Sequence, residues 1–237
     1  MSLDFTGSTS GVVYTPTLGD SIDDLTAFTY LMWIRADSSA TSPQTYLMKG
    51  TGGTGRKSLE RLFGDVDDFE AIVMRGGTNA STKTTGVNKP INDWFFVALT
   101  YDETDGARIF TGDLNTPVSE ASYSSRTVGS GPTNSDATLP ITVGNREDFG
   151  EPTLGRIGTF QLVSKRLSLA EIQALQFTIQ NTPETELLYN MGSSGIATQV
   201  DLSGNGYNGT ITGLTQADAV PLPSPFGFAE SGIRLGS

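Results

Sequence analysis

The residues able to do chemistry in this chain are carboxylates, amides and a few aromatics. It has neither His nor Cys. That removes the usual general base, the common zinc ligand, thiolate chemistry and disulfides together. What remains is oxygen. Asp102 and Asp105 stand in the turn Asp102-Glu-Thr-Asp-Gly106, and Glu147 and Asp148 in a second acidic loop. Asp201 and Asn205 share the segment Asp201-Leu-Ser-Gly-Asn-Gly-Tyr-Asn-Gly209. Hard cations take several oxygens from loops of this kind, so one calcium ion at a rim is one expectation. The other is that Asp and Asn at such places start turns. Tyr207, between Gly206 and Asn208, is an aromatic in a loop. With Asn205 it is a candidate ligand contact, or else it folds back onto a sheet edge. Trp33 and Trp94 could stack on sugar rings if exposed, but both sit in apolar stretches that predict core packing. Asn79-Ala-Ser and Asn208-Gly-Thr match the glycosylation acceptor pattern.

Those residues must be positioned by strands. Trp94-Phe-Phe-Val-Ala-Leu-Thr-Tyr101 is an apolar run, too short for an independent helix and rich in strand-favouring types. It predicts a strand inside a large antiparallel sandwich, buried on both faces. Ala107–Phe110 should pair back across the acidic turn. Phe28–Arg35 predicts another long strand, and Leu59–Phe63 with Phe69–Met74 a pair across Gly64–Asp68. Leu3–Phe5 and Val12–Tyr14 suggest an opening hairpin. Gly76–Val87 suggests a loop or edge hairpin, and Ser124–Ala137 a long loop. Leu139–Val143, Arg156–Val163, Leu187–Met191 and the stretch up to Ile211 read as further strands. One helix is legible: Ser168-Leu-Ala-Glu171 is a capping box, Leu169, Ile172 and Leu175 follow at helical spacing, and Pro183 lies beyond.

A chain of 237 residues can bury a large core without staples. With 15 basic and 26 acidic residues it carries a formal charge of -11, which disfavours nucleic acid as a partner. No apolar run approaches the ~20 residues of a membrane helix, so membrane insertion is not expected. The first seven residues have no basic or apolar region, so no signal peptide is expected. Residues 1–220 are read as one domain and residues 221–237 as a Pro-rich tail that packs extended or links to a partner.

The chain resembles the concanavalin A-like lectin/glucanase superfamily, in its laminin G and pentraxin-like branch. Phe28–Trp33 followed by Leu47-Met-Lys-Gly50, the stretch Asp93–Asp102, and the series Ile141–Gly144, Gly155–Phe160 and Arg166–Ile172 carry the likeness in order. Phe110-Thr-Gly-Asp-Leu-Asn-Thr-Pro117 departs from the family's short aromatic strand and tight turn. The resemblance implies an all-β fold, a two-sheet antiparallel jelly-roll sandwich with one short helix, and it places both Trp residues in the core. It also implies where hydrolase carboxylates would stand, alternating on one strand so that acid and nucleophile share a face. The nearest stretch here, Gly64-Asp-Val-Asp-Asp-Phe-Glu70, has Asp65, Asp67 and Asp68 in a turn and only Glu70 entering a strand. The favoured expectation is therefore a non-catalytic binding or structural module, at a virion surface as a decoration, fibre or tail protein. Its partners would be capsid or tail subunits, or itself, with possible glycan contact. A free carbohydrate-binding lectin is the alternative, and a glycoside hydrolase or polysaccharide lyase a further one.

Overall fold

In the computed structural model every residue is described except 1, 6, 8, 38–42, 62–67, 88–90, 179, 192–196, 219 and 221–237. The chain forms the expected two-sheet sandwich. In order it runs β1 (Ser2–Asp4), β2 (Gly11–Tyr14), β3 (Ala27–Ala36), β4 (Gln44–Lys49), β5 (Lys57–Arg61), β6 (Phe69–Val73), β7 (Ala80–Thr84), β8 (Phe95–Asp102) and β9 (Gly106–Asp113). It continues β10 (Ser119–Glu120), β11 (Tyr123–Thr127), β12 (Ile141–Val143), β13 (Gly155–Val163), α1 (Leu169–Gln176), β14 (Thr185–Asn190), β15 (Thr198–Gln199), β16 (Gly209–Thr212) and β17 (Thr215–Ala217).

One sheet has the order β10-β9-β8-β3-β13-β1-β17, with β14 also on β13. The other has the order β11-β7-β6-β5-β4-β12-β2-β16-β15. Pairing within both sheets is antiparallel throughout. Residues 221–237, expected as a tail, lie outside the described residues, as do Asp65 and Asp67.

Alternation along the strands explains the two apolar layers. On β3, Phe28, Tyr30, Met32 and Ile34 enter the space between the sheets, and on β8 Phe95, Val97, Leu99 and Tyr101 do the same. The intervening Leu31, Trp33, Phe96 and Ala98 point the other way, into a second layer roofed by Leu167, Ile172 and Leu175 around α1. Trp33 and Trp94 are buried, at 2% and 7% exposure. The two sheets do not enclose them, however; they lie in that outer layer. The Trp33 indole donates to the Gln176 carbonyl at 2.7 Å, fixing the helix end over the sheet. The capping box forms as expected: Ser168 Oγ accepts from Glu171 N, and Glu171 accepts from Ser168 N at 2.7 Å.

Other differences have physical reasons. β1 and β2 are not a hairpin, because β1 joins β13 and β17 while β2 joins β12 and β16 in the opposite sheet. The turn between them crosses the sandwich. Gly76–Val87 holds β7, an interior strand, and Ser124–Thr127 belongs to β11, the sheet edge outside it. An edge strand faces water, so β11 carries no apolar alternation to read. In the departing segment β9 runs on to Asp113, whose carboxylate takes the amides of Asn115 and Thr116, each at 2.7 Å, and closes the turn. At Gly144 the backbone is left-handed (φ +86), and a Cβ there would stand 2.1 Å from the Phe5 ring, so only glycine fits.

Candidate functional site

Two distant parts of the chain meet at one rim: the end of β2 with the turn after it, and the start of β14 with the loop after β15. Tyr14 and Tyr207 set their rings 5.0 Å apart with planes tilted by 30°. The Tyr207 hydroxyl accepts from Ser21 N at 2.9 Å and lies 3.0 Å from Ser21 Oγ. Ser21 Oγ donates to the Glu186 carboxylate. Asn205 Nδ2 donates to the Glu186 carbonyl at 2.9 Å and reaches the carboxylate at 3.3 Å. Tyr14 donates its hydroxyl to Asp20 Oδ2 at 2.7 Å. Ser21 and Asn205 are exposed, and Tyr14, Asp20, Glu186 and Tyr207 are half-buried. The result is two rings beside two carboxylates, an amide and a hydroxyl, open to water.

The geometry sets the protonation states. The Tyr14 hydroxyl holds the Asp20 carboxyl below its ordinary value. Burial, and then the bond to Asp20, push the Tyr14 phenol well above its ordinary value. Both groups therefore keep one state near neutrality, the acid ionised and the phenol protonated.

The supports lie just beneath. Asp201, 7% exposed, takes four donors: the amides of Leu188, Ser203 and Tyr207, and the hydroxyl of Ser203. It shapes the loop that presents Asn205 and Tyr207. On the other side, Asp23 accepts from the buried Lys49 ammonium at 3.0 Å, which ties down the turn bearing Asp20 and Ser21.

The structure thus brings Asn205 and Tyr207 together, with Asp201 as their organiser. Asp102 and Asp105 share no bonding partner with them. Asp102 faces Arg166 at 2.6 Å, and Asp105 faces Arg166, Arg108 at 2.6 Å and Arg126 at 3.0 Å. Asp102 also caps its own turn, accepting from the amides of Thr104 and Asp105. Bonding to Arg108 is the largest cause holding the Asp105 carboxyl far below its ordinary value. Glu147 accepts from Gly52 N at 2.8 Å, and Asp148 pairs with Arg146. Among the described residues, no group of three or more acidic side chains is placed to hold a metal ion. Of the hydrolase-like stretch, Asp68 accepts from Thr84 Oγ1 at 3.2 Å and Glu70 from Ser81 Oγ at 3.3 Å. No described helix is long and apolar enough to cross a membrane.

Sequence reasoning missed Tyr14, Asp20, Ser21 and Glu186. Tyr14 is the last residue of a short strand and the others are ordinary polar residues. The strand order, with β2 beside β16, carries Tyr14, Asp20 and Ser21 to the loop after β15, and Glu186 comes from β14 in the other sheet.

Residues 6–173 match the family model described as the concanavalin A-like lectin/glucanases superfamily. No curated protein matches. Among solved structures, a candidate carbohydrate binding protein from Bacteroides ovatus ATCC 8483 is similar at 20% identity and TM-score 0.64, over 92% of this chain and 59% of that one. Domains LG4-5 of the mouse laminin alpha1 chain are similar at 15% identity and TM-score 0.50, over 71% of this chain and 42% of that one. The heptameric SAP-like pentraxin of Limulus polyphemus aligns at 12% identity and TM-score 0.48, over 74% and 81% of the two chains. The chain spans less than two thirds of the Bacteroides and laminin chains, and at these identities the likeness is one of fold.

Proposed function

This chain belongs to the concanavalin A-like lectin/glucanases superfamily, and from that premise we propose that it is a non-catalytic glycan-binding module whose contact surface is the rim of Tyr14, Asp20, Ser21, Glu186, Asn205 and Tyr207. The observation that carries this reading is the convergence of an aromatic pair with carboxylate, amide and hydroxyl groups from two distant parts of the chain, partly open to water at a rim of the sandwich. A pyranose offers an apolar face and a ring of hydroxyls. Aromatic faces suit the first, and carboxylate and amide acceptors the second. The rim side chains carry negative charge, and the nearby Lys49 is buried and committed to Asp23. A neutral glycan therefore fits better than a sulfated or uronic one. The Bacteroides protein's description as a candidate carbohydrate binding protein agrees with this reading.

The non-catalytic part is supported by the absence of His and Cys and by the commitments of the acids. Glu60 and Glu70 face each other across β5 and β6, but Glu60 is only 7% exposed and is bonded to Arg56. The setting we propose is a larger assembly, a virion surface protein docked to capsid or tail subunits. The Pro-rich composition of residues 221–237 suits a docking or linking segment.

The test is an immobilised array of neutral, sulfated and uronic oligosaccharides, probed with the wild type and Tyr207→Ala. Neutral glycans should retain the wild type and lose the variant. Equal retention of both, or retention on sulfated glycans alone, would sink the proposal. Light scattering after size exclusion, with inspection of neighbouring coding sequences for capsid or tail proteins, tests the setting.

A further inference from the structure

The most unusual chemistry in the molecule lies in the interior. Lys57 on β5 and Asp136 in the loop before β12 are 79 positions apart, and their side chains are 1% and 0% exposed. Lys57 Nζ stands 2.5 Å from Asp136 Oδ2. That is closer than the 2.7–2.9 Å usual for a charge-assisted N–H···O bond. The other oxygen, Oδ1, accepts from the Asp24 amide at 2.7 Å. Asp24 Oδ1 in turn accepts from Asp136 N at 2.9 Å, so the carboxyl group is clamped from two sides. Lys49 donates to the Asp136 carbonyl at 3.0 Å, and its ammonium lies 3.8 Å from Oδ2. The Phe28 ring sits 5.9 Å from Lys57 Nζ, and the fully buried Tyr30 is close enough to feel the Asp136 charge. Gly55 makes the approach possible, since a Cβ there would stand 2.9 Å from the Asp136 Cβ.

We propose that Lys57 Nζ and Asp136 Cγ condense within the folded chain into an amide, an intramolecular cross-link between β5 and the loop before β12. The parts match what amide formation requires. The nucleophile and the carboxyl group are held in contact through Oδ2 by the fold, which supplies the proximity that makes an otherwise unfavourable step accessible. Burial pulls the Lys57 ammonium below its ordinary value, against the raising effect of Asp136. That favours passing one proton from nitrogen to Oδ2, which leaves an amine facing a carboxylic acid. The amine lone pair then forms the N–C bond at Cγ, and negative charge collects on Oδ1. The Asp24 N–H, which already donates to Oδ1, stands where it stabilises that charge. A second proton moves from nitrogen to Oδ2, the Cγ–Oδ2 bond breaks, and one water leaves. Acid and amine give amide and water, with no oxidant and no cofactor. The product replaces two buried opposite charges, each costly to desolvate, with one neutral group. Lys49 is the poorer nucleophile because its ammonium is shared among Asp23 Oδ1 and the carbonyls of Asp136 and Leu139.

Intact-mass measurement of the folded, full-length protein tests this directly. The wild type should be lighter than the sum of its residues by one water. Tryptic digestion should yield one branched peptide joining Lys57–Arg61 to Thr127–Arg146. That map separates the cross-link from ring closure at Asp105-Gly106, which also loses water. Lys57→Arg keeps the buried charge but cannot form the amide, so it should show full mass. Asp136→Asn should close the same bond with loss of ammonia. A folded wild type at full mass after prolonged incubation at neutral pH overturns the proposal, as does a lost water that maps elsewhere.

Discussion

Removing the Tyr207 hydroxyl tests the rim most sharply. Tyr207→Phe keeps the ring 5.0 Å from Tyr14 and deletes only the oxygen that meets Ser21 N at 2.9 Å and Ser21 Oγ at 3.0 Å. Those bonds tie the loop after β15 to the turn after β2. A hydrogen bond is worth about 0.5–1.5 kcal/mol net, and less where water competes. Taken together the two should contribute about 1 kcal/mol to holding the loops in register. Affinity for a neutral oligosaccharide retained on the array should then fall about fivefold. Tyr207→Ala also removes the ring pair, worth about 0.5–1.5 kcal/mol, so its total of about 2 kcal/mol corresponds to a loss of about thirtyfold. Titration calorimetry on the wild type and both variants reads these values, with melting curves as the control for folding. The reasoning fails if Tyr207→Ala binds within about twofold of the wild type, or if Tyr207→Phe loses as much as Tyr207→Ala.

Four further outcomes follow from the geometry. Trp33→Ala should cost about 3–5 kcal/mol of stability by emptying the layer under α1, yet leave glycan affinity unchanged; denaturant melts and calorimetry check both halves. Gly144→Ala should prevent normal folding or lower the melting temperature sharply, because its Cβ would strike Phe5 in a left-handed backbone; a melt within a degree or so of the wild type would refute this. Chelator or added calcium should leave the melting temperature where it is, since Asp102 and Asp105 already face arginines; a clear rise with calcium would point to a bound ion. Glu171 is held down at about 2, first by Lys165 and then by Ser168. Its folded value is depressed, so its stabilisation is complete above the ordinary glutamate range and disappears as pH falls through about 2. Glu171→Gln should therefore destabilise at pH 6 and match the wild type at the acid end, as pH-dependent denaturant melts would show.

The sequence made the layers legible where burial is symmetric or capping is local. The run from Trp94 to Tyr101 is apolar on both sides, and β8 is covered on both. The box at Ser168 needs only three residues of context, and it formed. Less was legible where a residue's role depends on a distant partner. Trp33 and Trp94 read as buried, but one strand cannot say which of its two faces meets the other sheet. β11 is polar because it is an edge, and a polar edge looks like a loop. Asp201 has the residue type of a metal ligand, yet three backbone amides and a hydroxyl take its oxygens. Tyr14 and Glu186 carry no local signal at all, because their value comes from neighbours about 190 and 20 positions away.

Because β2 lies between β12 and β16, the rim joins segments as much as 186 positions apart, as Ser21 and Tyr207 are. A chain emerging from the ribosome has Tyr14, Asp20 and Ser21 long before it has Asn205 and Tyr207. On the proposed reading, recognition is thereby withheld until the loop after β15 has been made, and a product terminated before Asn205 would be mute toward a glycan however well its earlier strands had paired.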